Sequence, residues 1–83
     1  MKVNLELIFP GKLKEKAIIC NLCKKFHIEV SIKEASFSTE IGWALLQFSG
    51  REKEINSAIE YLRREGVKIE DITKKINYNP PNI

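Results

Sequence analysis

The sequence predicts an α+β protein with the ferredoxin-like order of elements, βαββαβ, in which a four-stranded antiparallel sheet carries both helices on one face. Three observations predict this fold: an N-terminal run with apolar residues at every second position, two segments with helical apolar spacing, and β-rich runs between and after them. The 83 residues, 43% of them hydrophobic, suffice for one globular domain. We expect that domain to span residues 1–73, with residues 74–83 as a flexible tail.

The first strand and the first helix come first in the chain. Apolar residues at every second position predict the strand, and these are Val3, Leu5, Leu7 and Phe9. Pro10 and Gly11 end it. From about Leu13 to His27, apolar residues recur at three- and four-residue spacing, which predicts an amphipathic helix.

A hairpin, a second helix and a last strand complete the order. Alternation from Ile28 to Lys33 and a β-rich run from Trp43 to Ser49 predict two paired strands. The second helix follows, and the spacing of Ser49 and Glu52 resembles a capping box. Gly66 is a typical helix stop. A short strand from Val67 to Ile72 follows, and the prolines after it predict a tail.

The face of the sheet away from the helices is predicted to carry an apolar patch. If Ala44, Leu46 and Phe48 face the helices, Trp43 and Leu45 point the other way, together with Ile8 from the first strand. An exposed patch of this kind is typical of an interface between proteins. We therefore expect Ile8, Trp43 and Leu45 to form a homodimer or partner surface.

RNA-recognition motifs share this order of elements and stack bases on aromatic side chains of the same face. The match is partial, because Leu45 stands where a second stacking ring belongs and Glu6 places a carboxylate beside Trp43. The net charge of +3 comes from 14 basic and 11 acidic residues that are interleaved along the chain. RNA binding is kept only as a minor alternative.

Cys20, Cys23 and His27 lie within about one quadrant of the predicted first helix, as three metal ligands could. A structural zinc site needs a fourth ligand, and the chain has no other Cys or His. We therefore favour Cys23 as a core residue, Cys20 as a helix flank and His27 as a cap near the helix end. The metal site stays open as the alternative.

The chain shows no pattern typical of catalysis. A single His without an orienting partner, no carboxylate pair and no phosphate-binding glycine loop argue against an enzyme. Pro10 and Gly11 lead from a strand into a helix whose free amides could receive a carboxylate, although a plain turn explains them equally well. The N-terminus lacks the uninterrupted apolar stretch of a signal peptide or membrane span, so we expect a cytoplasmic protein.

Several short segments, at shared spacing, resemble the NIL domain, an ACT-like regulatory domain. The resemblance covers residues 3 to about 73. The segments that carry it are Leu7 to Pro10, Leu22 to Phe26, Val30 to Ile32, Gly42, Leu46 to Gly50, Ala58 to Leu62, and Gly66 with Val67. The Asn-Ile-Leu that names the family reads Ser31-Ile32-Lys33 here, and the proline usual early in the first helix is replaced near Ala17.

The resemblance implies a regulatory module rather than an enzyme. NIL domains bind methionine between two domains at the C-terminus of methionine-importer ATPases, and they also precede iron–sulfur ferredoxin modules. We therefore expect a homodimer that binds methionine or a related sulfur amino acid, with an importer ATPase or a ferredoxin-type protein as partner and no cofactor. The expected ligand residues are Phe9, Pro10, Gly11, Ile28, Ser31 and Ile32. The alternative is an interaction module that docks on an importer ATPase, a ferredoxin or a sulfur-transfer enzyme through the Trp43 face.

Overall fold

A computed structural model of the chain describes residues 1–11, 18–38 and 40–74, which form four strands and two helices. The elements are β1 (Lys2–Pro10), α1 (Ile18–Lys25), β2 (Ile28–Phe37), β3 (Ile41–Gly50), α2 (Glu52–Arg64) and β4 (Lys68–Asp71). The strands form one sheet in the order β2-β3-β1-β4, and every neighbouring pair is antiparallel. The predicted ferredoxin-like fold class is confirmed.

The hydrophobic core lies between the helices and one face of the sheet, which we call the inner face. Side chains alternate between the two faces of a strand, and the residues on the inner side of β1 and β3 are buried. Register places Leu5 opposite Leu46 and Leu7 opposite Ala44. The residues buried in this core are Val3, Leu5, Leu7, Phe9, Ile18, Leu22, Ala44, Leu46, Phe48, Ile55, Ala58, Leu62 and Val67.

Strand β2 is longer than predicted because it contains a β-bulge. The register with β3 shifts between Ile32 and Glu34, so Lys33 is an extra residue in the ladder. Ile32 lies opposite Leu46 on the inner face, whereas Ala35 returns to that face only three positions later. The bulge breaks the period-two pattern, and the strand continues to Phe37, beyond the predicted alternation that ends at Lys33.

Helix α2 does not begin with the predicted capping box. Ser49 belongs to β3, and the residue that precedes the first helical turn is Arg51, which has extended backbone and makes no side-chain cap hydrogen bond. The C-terminal stop is as predicted, since Gly66 adopts the left-handed φ of 95° that favours glycine, and its N–H donates to the Arg63 carbonyl.

Helix α1 is described only in part. Residues 12–17 lie outside the described part of the chain, so the predicted start at Leu13 is not tested, and the helix ends at Lys25 instead of His27. The predicted tail likewise lies outside the described residues from position 75 onward. Within the described ranges, no helix has the length and apolar composition that crossing a bilayer requires.

Candidate ligand and partner site

An aromatic pair lies at one end of the inner face, and one of its two members, Phe9, belongs to the predicted ligand site. Phe9 is 2% exposed, and its ring centroid lies 6.0 Å from that of Phe37 on β2. Phe37 itself is 52% exposed. Its ring covers Gly42, where an added Cβ would lie 2.4 Å from the Phe37 ring. Phe37 was not predicted as a site residue, because the bulge at Lys33 breaks the alternation that assigns each strand residue to one face of the sheet.

The turn after β1 lies beside this pair. Pro10 is exposed and Gly11 is half-buried. A Cβ at Gly11 would lie 2.8 Å from the carbonyl oxygen of Glu40, so glycine permits the close approach of two backbone segments. The helix amides that were expected to receive a carboxylate belong to residues 12–17 and therefore lie outside the described residues.

Ser31 and Ile32 point to opposite faces of the edge strand. Ile32 lies opposite Leu46 on the inner face of the edge strand β2 and is 60% exposed. Ser31 lies opposite Gln47 on the other face. The structure therefore brings Ile32 to the same face as Phe9, but it does not bring Ser31 there.

Ile28 is far from Phe9 within one chain. Ile28 lies opposite Gly50 at one end of β3, and Phe9 lies opposite Gly42 at the other end. Eight positions along an antiparallel strand, from 42 to 50, correspond to about 27 Å. A single chain thus separates the predicted ligand residues into two groups, with Phe9, Pro10 and Gly11 at one end and Ile28 at the other.

Ile28 borders a shallow depression of about 500 Å³ at its own end of the sheet. Its lining residues are Cys23, Phe26, His27, Ile28, Glu29, Ser49 and Gly50. A second depression of about 520 Å³ adjoins it and is lined by His27, Gly50, Arg51, Lys53 and Glu54. The two depressions share His27, whose backbone N–H donates to Glu54 Oε1 at 3.0 Å. This contact fixes the end of α1 against the start of α2.

The structure agrees with the preferred interpretation of Cys20 and contradicts that of Cys23. Cys20 is exposed as expected of a helix flank, but Cys23 is exposed too, so its predicted place in the core is wrong. Leu22 takes the core position of that turn instead. Cys23 and His27 border the same depression, which Cys20 does not line. Among the described residues, no three His, Cys, Asp or Glu side chains are grouped as a metal site would require.

The face of the sheet opposite the helices, which we call the outer face, carries Ile8, Trp43 and Leu45 as predicted. Trp43 lies opposite Ile8 and is absent from the inner core cluster. The prediction that this patch is exposed is wrong, because Trp43 is only 3% exposed and both Ile8 and Leu45 are half-buried. The indole N–H donates to Glu6 Oε2 at 3.0 Å, which supplies the acceptor that a buried indole needs.

This arrangement removes the basis of the RNA-binding alternative. A ring that stacks on a base must present one face to solvent, whereas Trp43 is buried and hydrogen-bonded to a carboxylate. Beside it, the Gln47 side-chain amide donates to Asn4 Oδ1 at 3.2 Å, so neighbouring outer-face groups bind each other.

The fold and the site define a small α+β domain of ferredoxin-like architecture in which two large exposed apolar side chains, Ile32 and Phe37, lie on an edge strand. Residues 3–71 match the NIL domain family, and the chain belongs to it. It is 33% identical over 70 residues to the methionine import ATP-binding protein MetN of Helicobacter pylori strain 26695, covering 80% of this chain and 21% of that protein. The match to MetN 2 of Bacillus licheniformis is 29% over 74 residues, 84% of this chain and 22% of that protein.

A solved structure shows the same fold. The C-terminal domain of an ABC transporter ATP-binding protein from Enterococcus faecalis superimposes with a TM-score of 0.75 at 28% identity, covering 88% of this chain and 86% of that one. The chain thus spans about a fifth of the length of the curated relatives it matches, and nearly all of this single solved domain.

Proposed function

We propose that this chain is a non-enzymatic regulatory module that binds methionine or a related sulfur-containing amino acid between the two subunits of a homodimer. The observation that carries the proposal is the edge strand β2, which leaves Ile32 and Phe37 60% and 52% exposed on the face where Phe9 lies. Two large apolar side chains on the open edge of a sheet favour a covering partner.

A second copy of the chain would reunite the separated ligand residues. Antiparallel pairing of two β2 strands about a two-fold axis between Ile32 and Lys33 would bring the partner's Ile28 opposite Phe37, because both positions lie equally far from that axis along the strand. Residues directly opposite each other in an antiparallel pair share one face. Phe9, Phe37 and the partner's Ile28 would then line one apolar pocket, with a symmetric pocket at the other end.

This pocket suits a thioether side chain. The sulfur of a methionine contacts aromatic rings favourably at about 5 Å, and Phe9 and Phe37 supply two rings. The carboxylate contact that the sequence predicts at the amides after Pro10 and Gly11 falls on residues 12–17, which lie outside the described residues. The relatives support methionine as the class of ligand, because both are named as methionine import ATP-binding proteins.

The partner proposed is the ATP-binding subunit of an importer, regulated on the cytoplasmic side of the membrane. In the relatives, the matching segment makes up about a fifth of the protein's length. The solved neighbour is the C-terminal domain of an ABC transporter ATP-binding protein. A ferredoxin-type or sulfur-transfer partner is the alternative that the family resemblance leaves open.

Calorimetric titration of the chain with methionine and homocysteine, alongside a panel of other amino acids, tests the ligand. We expect saturable heat for the sulfur amino acids in a chain that sediments as a dimer. Ile32→Glu places a charge at the proposed interface, so it should give a monomer and lose the heat. Asn56→Glu adds the same charge on an exposed position of α2 and should change neither. If no amino acid of the panel produced heat or a thermal shift, the proposal of a bound amino acid would be wrong.

A further inference from the structure

Three residues form one row across the sheet at the end of the inner face. Register places Phe9 of β1 opposite Gly42 of β3, and Gly42 opposite Phe37 of β2. Residues directly opposite each other in an antiparallel pair share one face. The outer two strands of the row lie about 10 Å apart, yet the ring centroids of Phe9 and Phe37 are only 6.0 Å apart. The two rings therefore approach each other over the residue between them, which has no side chain.

The Phe37 ring occupies the space that a side chain at position 42 would take. A Cβ on Gly42 would lie 2.4 Å from Phe37 Cδ1, 2.5 Å from Phe37 Cε1 and 3.3 Å from Phe9 Cβ. Non-bonded carbon atoms keep about 3.5–4.0 Å between them, so the ring can lie there only because position 42 is glycine. The backbone of Gly42 is thus the floor of a slot beside Phe9, and the Phe37 ring fills that slot.

A ligand cannot contact Phe9 in this arrangement, because Phe9 is only 2% exposed. The next row of the inner face, Leu7 opposite Ala44, is part of the buried core and cannot move aside without disturbing it. Phe37 is 52% exposed and is the last residue of the edge strand. Exposed side chains change rotamer within picoseconds to nanoseconds. The Phe37 ring can therefore rotate off Gly42 while the core stays closed.

We propose that the Phe37 ring is a gate over Phe9, and that the slot above Gly42 receives the side chain of the bound amino acid when the ring rotates away. This inference rests on the proposed function and adds how the pocket opens and what selects its ligand. The bare backbone of Gly42 lets a thioether approach the sheet as closely as the ring did. In the proposed dimer the partner's Ile28 lies opposite Phe37, so it would pack against the ring in its outward position.

The slot favours an unbranched ligand side chain. Methionine and homocysteine carry a single substituent on Cβ and rotate freely along the chain, so they can follow the narrow space between Phe9 and the edge of the sheet. Valine and isoleucine carry two heavy atoms on Cβ, which widens the side chain and restricts its rotation. We therefore expect isoleucine to bind at least an order of magnitude more weakly than methionine.

Nuclear Overhauser contacts in the unaltered chain test the gate directly. We expect contacts between the Phe9 and Phe37 rings in the free chain, as their 6.0 Å separation requires. Saturating methionine should abolish them and replace them with contacts from the methionine methyl group to the Phe9 ring and to the Cα protons of Gly42. Calorimetric titration of the same sample establishes that the site is filled.

Gly42→Ala tests the slot, because its methyl group fills the space that the ligand needs. The contacts between Phe9 and Phe37 should be lost without any ligand, and the affinity for methionine should fall by about tenfold or more, as overfilling a packed site costs. Phe37→Ala removes the gate and leaves the slot open, so it should keep the affinity within a few-fold. Ser36→Ala changes the neighbouring residue on the outer face and is the matched control, with no expected effect. Dimerisation without ligand should persist in all three variants.

The outcomes separate the gate from the proposed function. Heat of methionine binding with the contacts between Phe9 and Phe37 still present at saturation would overturn the gate and leave the proposed ligand intact. An affinity for methionine that Gly42→Ala does not change would overturn the slot. If Gly42→Ala loses its circular dichroism spectrum, the contacts measured in the unaltered chain decide. No heat from the unaltered chain with any amino acid would refute the proposed function, and the gate with it.

Discussion

The indole of Trp43 lies on the outer face of the sheet, where its N–H donates to Glu6 Oε2 at 3.0 Å. Alternation along β3 correctly placed Trp43 on the outer face, because the period of two is a property of the strand itself. Its burial could not be predicted, since that depends on what lies across the sheet. The partner of the indole, Glu6, was predicted to lie beside Trp43 but was interpreted as a departure from the RNA-recognition motif, not as a hydrogen-bond acceptor.

Replacing Glu6 tests whether the indole N–H depends on its acceptor. Glu6→Leu leaves a buried donor without a partner, so we expect the free energy of unfolding to fall by about 1–3 kcal/mol. Glu6→Gln keeps an acceptor oxygen and should cost clearly less. Urea denaturation measures both. Equal stabilities of the two variants would mean that the hydrogen bond contributes nothing.

Two glycines should respond differently to the same substitution. Gly11→Ala brings a Cβ to 2.8 Å from the Glu40 carbonyl oxygen, which is backbone and cannot move without disturbing the turn. Gly42→Ala meets the ring of Phe37, which is half-exposed and can rotate away. We expect the lower melting temperature for Gly11→Ala and a measurable loss of the Phe9–Phe37 contact by NMR for Gly42→Ala. The opposite order of melting temperatures would contradict this account.

At the scale of elements, regular segments were predicted well and irregular ones were not. β1, β3 and the body of α2 carry unbroken periodic patterns, and their predicted bounds differ from the structure by at most a few residues. β2 was predicted too short because Lys33 adds one residue and reverses the alternation after it. A bulge has no sequence signature apart from this break, so Phe37 was not recognised as a residue of the site.

The uncapped start of α2 offers a gain in stability. Arg51 occupies the N-cap position without a side-chain hydrogen bond to the first turn, and serine there could accept one. Arg51→Ser should raise the free energy of unfolding by about 0.5–2 kcal/mol. Arg51→Ala, which cannot cap, is the control, and calorimetric melting is the measurement. Equal melting temperatures for the two variants would argue against a free cap position.

For the molecule as a whole, the central feature is a small domain that leaves an apolar edge uncovered. A core this small buries a limited share of the chain's surface, so the proposed association with a second copy would add stability that one chain lacks. The family and fold followed from the sequence, but the site did not, because the expected ligand residues lie at both ends of the sheet in one chain. Only the register between strands shows that a two-fold axis at β2 would bring them together.

Cross-linking tests that two-fold arrangement. With Cys20 and Cys23 replaced by serine, the pair Ile28→Cys and Phe37→Cys should form disulfides between subunits, because the proposed pairing brings these positions within the roughly 4.4–6.8 Å that a disulfide spans. Within one chain they are too far apart, since they lie opposite Gly50 and Gly42. Each single cysteine variant is the control. A monomer band for the oxidised double variant on a non-reducing gel would exclude this register.

The most direct measurement is the effect of methionine on the monomer–dimer equilibrium, followed by sedimentation at dilute protein concentration. A ligand bound between subunits must strengthen their association by the same factor by which association strengthens its binding. We predict that saturating methionine or homocysteine shifts the chain toward dimer, and that Ile32→Glu abolishes the shift. A dissociation constant of the dimer that saturating methionine leaves unchanged would contradict the account.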